Sequence, residues 1–208
     1  MKIVVSYISS LYDYKTTIDK IEHTSADGIH VDLMDGVYAG EKNFDIDDLL
    51  DLFKDVTKPL DIHLMLENPS DYLDKILKLN PSTIYIHPST EKALLSTLNA
   101  IEENKVKRGI AINPDEEIEK FEHYFPYIDV ILLMSVKPGK GGQKFLNETP
   151  KRLEKLLEYQ KENNFEIFID GGINKDTIKL VSKANGVVSG SYICQNTDFE
   201  KQIETLKI

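Results

Sequence analysis

Eight short β-rich runs, at residues 3–6, 28–33, 60–65, 83–87, 108–112, 130–134, 166–170 and 186–189, recur along the chain with longer amphipathic segments between them. Segments of helical period cover residues 69–79, 90–103, 116–124, 149–162, 175–184 and 198–206, and Ser89, Asp115 and Asn174 stand where N-caps are expected. No Pro-rich, Ser-rich or single-charge stretch interrupts the alternation, so residues 1–208 are expected to form one domain. Eight strand and helix pairs in 208 residues is the count of a compact (β/α)₈ TIM barrel. An open, doubly wound sheet would want a Gly-rich turn after its first strand, and this chain has Ser6-Tyr7-Ile8-Ser9 there.

In a barrel of this kind the working residues sit where the strands end, on the rim formed by the βα loops. The second run carries His30 and Asp32 two residues apart, so both side chains leave the same face of a strand. His63 ends the third run, Asn113 the fifth, Ser135 the sixth and Asp170 the seventh. A lone His or Asp at such a place commonly caps a helix or completes a turn. Two His and two Asp from three strands converging on one rim do not read as caps. They form a donor set for one divalent ion, while the carboxylates can also move protons. Such a set suits Zn²⁺, Fe²⁺, Mn²⁺ or Co²⁺.

Glycines gather on the neighbouring loops: Gly139, Gly141 and Gly142 after the sixth run, Gly171 and Gly172 after the seventh, and Gly190 with Ser191 after the eighth. Glycine lets backbone N–H groups approach an anion closely, and the loops of the last strands are the usual phosphate grip of this fold. Lys140 lies within the first of these loops. Met34, Met65 and Met134 fall near strand ends and suggest a polarizable wall around the reacting atoms. His87 ends the fourth run but has Pro88 beside it and no carboxylate near it, so packing is its expected role. His23 and His123 lie among charged residues and are expected to be solvated.

The net charge of −10 argues against a surface built for nucleic acid or an anionic membrane. The single Cys194 excludes an internal disulfide and reads as a small buried residue. Met1 to Ser6 runs straight into strand-like sequence without a signal-peptide pattern, and no apolar stretch approaches a membrane span, so a cytoplasmic protein is expected. A homo-oligomer is the expected assembly.

Through His30-Val31-Asp32-Leu33-Met34-Asp35-Gly36, Asp61-Ile62-His63-Leu64-Met65, Asn113-Pro114, Met134-Ser135-Val136, Gly141-Gly142-Gln143, Asp170-Gly171-Gly172 and Gly190-Ser191, the chain resembles the ribulose-phosphate 3-epimerases. The resemblance implies a metal-dependent isomerase of the pentose phosphate pathway that inverts C3 of D-ribulose 5-phosphate. It also implies that His30, Asp32, His63 and Asp170 are the metal ligands, that Asp32 and Asp170 are the acid/base pair, and that the methionines lie against the bound intermediate. Ser6, His63, Gly139, Lys140, Gly141, Gly142, Asp170, Gly171, Gly172, Gly190 and Ser191 would contact the substrate and its phosphate. The chain departs from the family pattern at Val5, at Gly40-Glu41, at Lys137 and at Lys140.

The implied chemistry removes a weakly acidic proton beside a carbonyl and returns one to the opposite face, so a carboxylate has to stand on each side of C3. A 3-epimerase of a six-carbon ketose phosphate such as allulose 6-phosphate is the alternative within this reaction type. Decarboxylase or aldol chemistry on related barrels uses an Asp-x-Lys-x-x-Asp array, and His63 stands where that lysine would be. A binding barrel without catalysis would be expected to lack a ligand, and none is missing.

Overall fold

The computed structural model describes residues 1–40, 42–43 and 45–208. Glu41, one of the departures noted above, and Phe44 lie outside the described residues. Eight parallel strands close on themselves in chain order: β1 (Lys2–Ser6), β2 (Gly28–Met34), β3 (Leu60–Met65), β4 (Thr83–Ile86), β5 (Lys107–Ile112), β6 (Val130–Met134), β7 (Glu166–Asp170) and β8 (Gly186–Ser189). The closure is direct, with Lys2 to Val5 of β1 paired against Gly186 to Ser189 of β8. The expected TIM barrel is therefore the observed one.

Alternate residues of the strands build two separate cores. Ile29, Val31 and Leu33 of β2, Ile62 and Leu64 of β3, and Ile131 and Leu133 of β6 face outward into one apolar sheath shared with the helices. Val4, Tyr85, Ala111, Val130, Leu132, Met134, Phe168 and Val188 form a second cluster inside the barrel. Large and small side chains alternate there because the interior is narrow. A Cβ on Gly109 would stand 2.4 Å from the Tyr85 ring, and one on Gly186 would stand 2.2 Å from the Phe168 ring, so each ring occupies the place of a missing side chain.

The helices are α1 (Tyr14–Glu22), α2 (Ile46–Phe53), α3 (Leu73–Ile76), α4 (Leu94–Glu103), α5 (Thr149–Gln160), α6 (Ser191–Cys194) and α7 (Phe199–Glu204). Three of the expected helices are wholly or partly 3₁₀. Residues 69–79 divide into 3₁₀ turns at Pro69–Tyr72 and Leu77–Leu79 around α3, while Ile118–Tyr127 and Thr177–Val181 are 3₁₀ throughout. Pro126 lies inside the second of these and supplies no N–H. Helix α4 starts at Leu94 because the Glu91 carboxylate accepts from Ala93 N at 3.0 Å and holds the preceding turn out of the helix. Of the expected caps, Asn174 accepts from Asp176 N and Thr177 N at 2.9 and 3.1 Å. Ser89 instead lies within the 3₁₀ turn Pro88–Thr90, and no side-chain bond caps the helical turn after Asp115. Strand β4 stops one residue short of His87, whose carbonyl accepts from Thr90 N at 3.0 Å in that turn.

Candidate metal and active site

Register sets the centre of the site. In the β2–β3 pair, His30 stands opposite Asp61 and Asp32 opposite His63, which puts His30, Asp32 and His63 inside the barrel on two successive rungs. Asp170, the last residue of β7, arrives from the far wall. One ligand atom from each of His30, Asp32, His63 and Asp170 can be chosen so that all lie within 4.8 Å of one another. His63 Nδ1 is 3.1 Å from Asp32 Oδ1 and 3.9 Å from Asp170 Oδ2, and His30 Nε2 is 3.4 and 4.0 Å from the same two oxygens.

The donor set fits a divalent ion on a further observation. Both ring nitrogens of His30 are buried without a hydrogen-bond partner among the described residues. A buried imidazole is costly in that condition, and a cation held between its Nε2 and the two carboxylates would relieve it. His63 completes the half-circle, with Nδ1 toward the carboxylates and Nε2 away from them.

The two carboxylates differ in environment. Burial opposes ionisation of Asp32, but the imidazoles of His30 and His63 outweigh it and hold the carboxyl below the usual range. Asp32 Oδ2 also accepts a hydrogen bond from Ser6 Oγ at 2.8 Å. Asp170 has no such donor among the described residues, and burial together with the neighbouring Asp32 charge pushes it up to about 6, against the pull of His30 and His63. Burial would lower His30, yet the carboxylates of Asp32 and Asp170 drive it up to about 9. Two carboxyls whose proton affinities are driven apart in this way suit one to accept and the other to donate.

Above this cluster opens a cleft of about 570 Å³, counting the space open to solvent. Ser6, Asp32, His63, Met65, Met134 and Asp170 form its floor and walls, and Gly139 to Gly142, Gly171, Gly172, Gly190 and Ser191 its rim. Lys137 and Lys140 are the cations lining it among the described residues. His30 is fully buried beneath the floor. Met34 does not join Met65 and Met134 in the lining: it is buried under the β2 loop, its sulfur 2.9 Å from where a Cβ on Gly40 would be. Gly40 in turn meets Gly139 across the mouth, and a Cβ on either would come within 2.7 Å of the other's backbone. Both have positive φ, so neither place accepts a side chain without displacing the loops.

Asn113 stays outside the lining and donates from Nδ2 to Tyr38 Oη at 2.8 Å. Ser135 acts from behind, its Oγ donating to the Asp170 carbonyl at 2.7 Å and thereby fixing the end of β7 that carries the carboxylate. Cys194 is buried with its thiol raised to about 12 by burial, and it points at the Ser6 carbonyl at 3.6 Å. His23 and His123 are exposed. His87 is the residue that the sequence reading undervalued. It is fully buried, its Nε2 lies 2.8 Å from His63 Nε2, and its ring packs between His63 and Tyr38 at 5.0 and 4.9 Å.

Among solved structures, 3-hexulose-6-phosphate synthase shares the fold with a TM-score of 0.69 at 15% identity, over 99% of this chain and 98% of that one. The phosphoribosyl anthranilate isomerase of Thermococcus kodakaraensis does so with 0.66 at 16%, over 99% and 96%. These likenesses concern the fold alone. Sequence relatives are much nearer. A ribulose-phosphate 3-epimerase of Helicobacter pylori (strain J99) is 36% identical, covering 100% of this chain and 97% of the relative. Its namesake in Bacillus subtilis (strain 168) is 34% identical, covering 91% and 90%. The family model described as "Ribulose-phosphate 3 epimerase family" matches residues 2–194, which takes in every strand of the barrel and all four of the converging His and Asp residues. With the match spanning the site as well as the scaffold, the chain belongs to the ribulose-phosphate 3-epimerase family.

Proposed function

We propose that this chain inverts C3 of D-ribulose 5-phosphate to give D-xylulose 5-phosphate, with Asp32 and Asp170 exchanging protons on opposite faces of the sugar. The observation that carries the reading is the convergence of these two carboxylates from β2 and β7 on one point, with His30 and His63 between them. Asp32, ionised, takes the proton from C3, and Asp170, carrying a proton, delivers its own to the other face; in the reverse reaction the roles exchange. His30, Asp32, His63 and Asp170 would hold one divalent ion, which when bound supplies positive charge next to the oxygens on which the enediolate's negative charge develops. Met65 and Met134 exclude water from one side of the sugar. The glycine rim and Ser191 offer backbone and hydroxyl donors to the phosphate. The reading extends to a cytoplasmic homo-oligomer without nucleic-acid or membrane partners, and the net charge of −10 argues against a surface for polyanions.

A coupled assay in D₂O on D-ribulose 5-phosphate and on allulose 6-phosphate tests it. We expect the five-carbon sugar to be turned over with the higher kcat/KM, and early product to carry deuterium at C3 and little elsewhere. Faster turnover of the six-carbon sugar would transfer the assignment to that substrate. Retention of the substrate's own hydrogen at C3 would point to one shuttling base and remove the two-carboxylate mechanism.

Lys140 supplies a second, smaller test. It lines the mouth on an exposed loop, so its ammonium would attract a dianion in ground state and transition state alike. Lys140→Phe is expected to raise KM several-fold with little change in kcat, by an amount that shrinks as salt is added. A fall in kcat at constant KM would place Lys140 in the chemistry or in loop closure instead.

A further inference from the structure

From the contact between His63 and His87 we infer that His87 is a positioning residue for the metal centre, accepting a hydrogen bond from His63 Nε2–H and so holding His63 with the lone pair of Nδ1 toward the ion. The inference rests on the four-residue metal centre proposed above.

The argument is one of proton counting. The two Nε2 atoms are 2.8 Å apart and fully buried, so a single proton must lie between them, donated by one ring and accepted by the other. His63 Nδ1 faces Asp32 Oδ1 and Asp170 Oδ2, on two of the carboxylates that would hold the ion. A nitrogen that ligates a cation carries no proton. A neutral His63 that ligates through Nδ1 therefore carries its one proton on Nε2, and His87 Nε2 has to be the acceptor. His87 then carries its own proton on Nδ1, a buried atom without a hydrogen-bond partner among the described residues. A metal-bound imidazole ordinarily gives its second N–H to a carboxylate, carbonyl or water, which fixes the ring's tautomer and orientation. Here a second imidazole occupies that place.

The surroundings of His87 are arranged to keep it there. Pro88 restricts its backbone to the extended region, where it is found at φ −76° and ψ 120°. Its carbonyl is tied to Thr90 through both N and Oγ1 at 3.0 Å. The Tyr38 ring lies against the His87 ring, with centroids 4.9 Å apart, and is itself held by Asn113.

The test compares zinc affinity, measured by chelator competition, across wild type, His87→Phe and His87→Gln. Phenylalanine keeps the ring against Tyr38 but has no lone pair, whereas glutamine places an amide oxygen within reach of His63 Nε2. Zinc binding is expected to weaken about 10–100-fold in the Phe variant and to return to within a few-fold of wild type in the Gln variant. Thermal melts of the metal-free proteins report whether each is folded. Nitrogen-15 NMR of the zinc-loaded wild type gives an independent reading that needs no variant: His87 should be protonated at Nδ1 and bare at Nε2. A folded Phe variant with wild-type zinc affinity overturns the inference, as does a proton on His87 Nε2 in the loaded protein. Wild type that takes up no zinc overturns the metal centre itself, and the inference with it.

Discussion

Replacing Asp32 or Asp170 by asparagine is expected to lower epimerisation by about 10³-fold or more, since an amide neither takes the C3 proton nor delivers one. The structure makes the two substitutions informative in different ways. At Asp32 an asparagine can keep the contact with Ser6, its amide nitrogen donating to the Ser6 hydroxyl, so the variant is expected to fold with an unchanged melting temperature. At Asp170, Ser135 holds the backbone carbonyl, and the carboxylate accepts no hydrogen bond among the described residues. Each variant also loses one charged ligand, so metal content has to be measured with turnover. A variant that retains its metal yet loses activity isolates the proton-transfer role. Turnover above a few per cent of wild type in either one would show that the two-carboxylate scheme is wrong.

The four histidine substitutions divide sharply. His30→Ala and His63→Ala are expected to leave the purified protein with little bound metal and correspondingly little activity, recoverable in part by added divalent ion. His23→Ala and His123→Ala should match wild type in both. The contrast follows from burial: His30 and His63 are wholly enclosed beside two carboxylates, whereas His23 presents 76% of its side chain to solvent. Removing either inner imidazole leaves the buried carboxylates facing each other with less positive charge between them, so a lower melting temperature in the metal-free state is also expected. Equal metal content across all four variants would refute the assigned centre.

The barrel and its centre were legible because both depend on short-range pattern. Two-residue spacing within β2 puts His30 and Asp32 on one face wherever β2 lies, and a strand end in this fold is a rim position. What escaped the sequence depends on how neighbouring strands align. His63 is level with Tyr85 in the β3–β4 register, so His87 stands one rung higher, and nothing in the local sequence of either strand shows that their rings meet. Ser135 stands at a strand end, where a rim residue is expected, but its hydroxyl turns sideways to the end of β7. Met34 obeys the expected alternation yet is covered by the loop that follows it, whose path depends on Gly40 meeting Gly139 from a distant segment. The 3₁₀ turns escaped for another reason. Over ten residues or fewer, a period of 3.0 and one of 3.6 place nearly the same residues on the buried side.

The hydrogen bond from Ser6 makes the two faces of the site unequal, since Asp32 receives it and Asp170 has no counterpart among the described residues. Inequality of this kind cannot make the enzyme favour one sugar over its epimer. The equilibrium ratio belongs to the two sugars in water, and any change in the site must multiply forward and reverse kcat/KM by the same factor. Asymmetry can change only how the barrier is divided, setting which sugar saturates the enzyme sooner and which proton transfer limits the rate. A serine hydroxyl buried at the end of β1 is thus a device for matching a reversible catalyst to the direction of flux it usually meets, without any power to alter where that flux comes to rest.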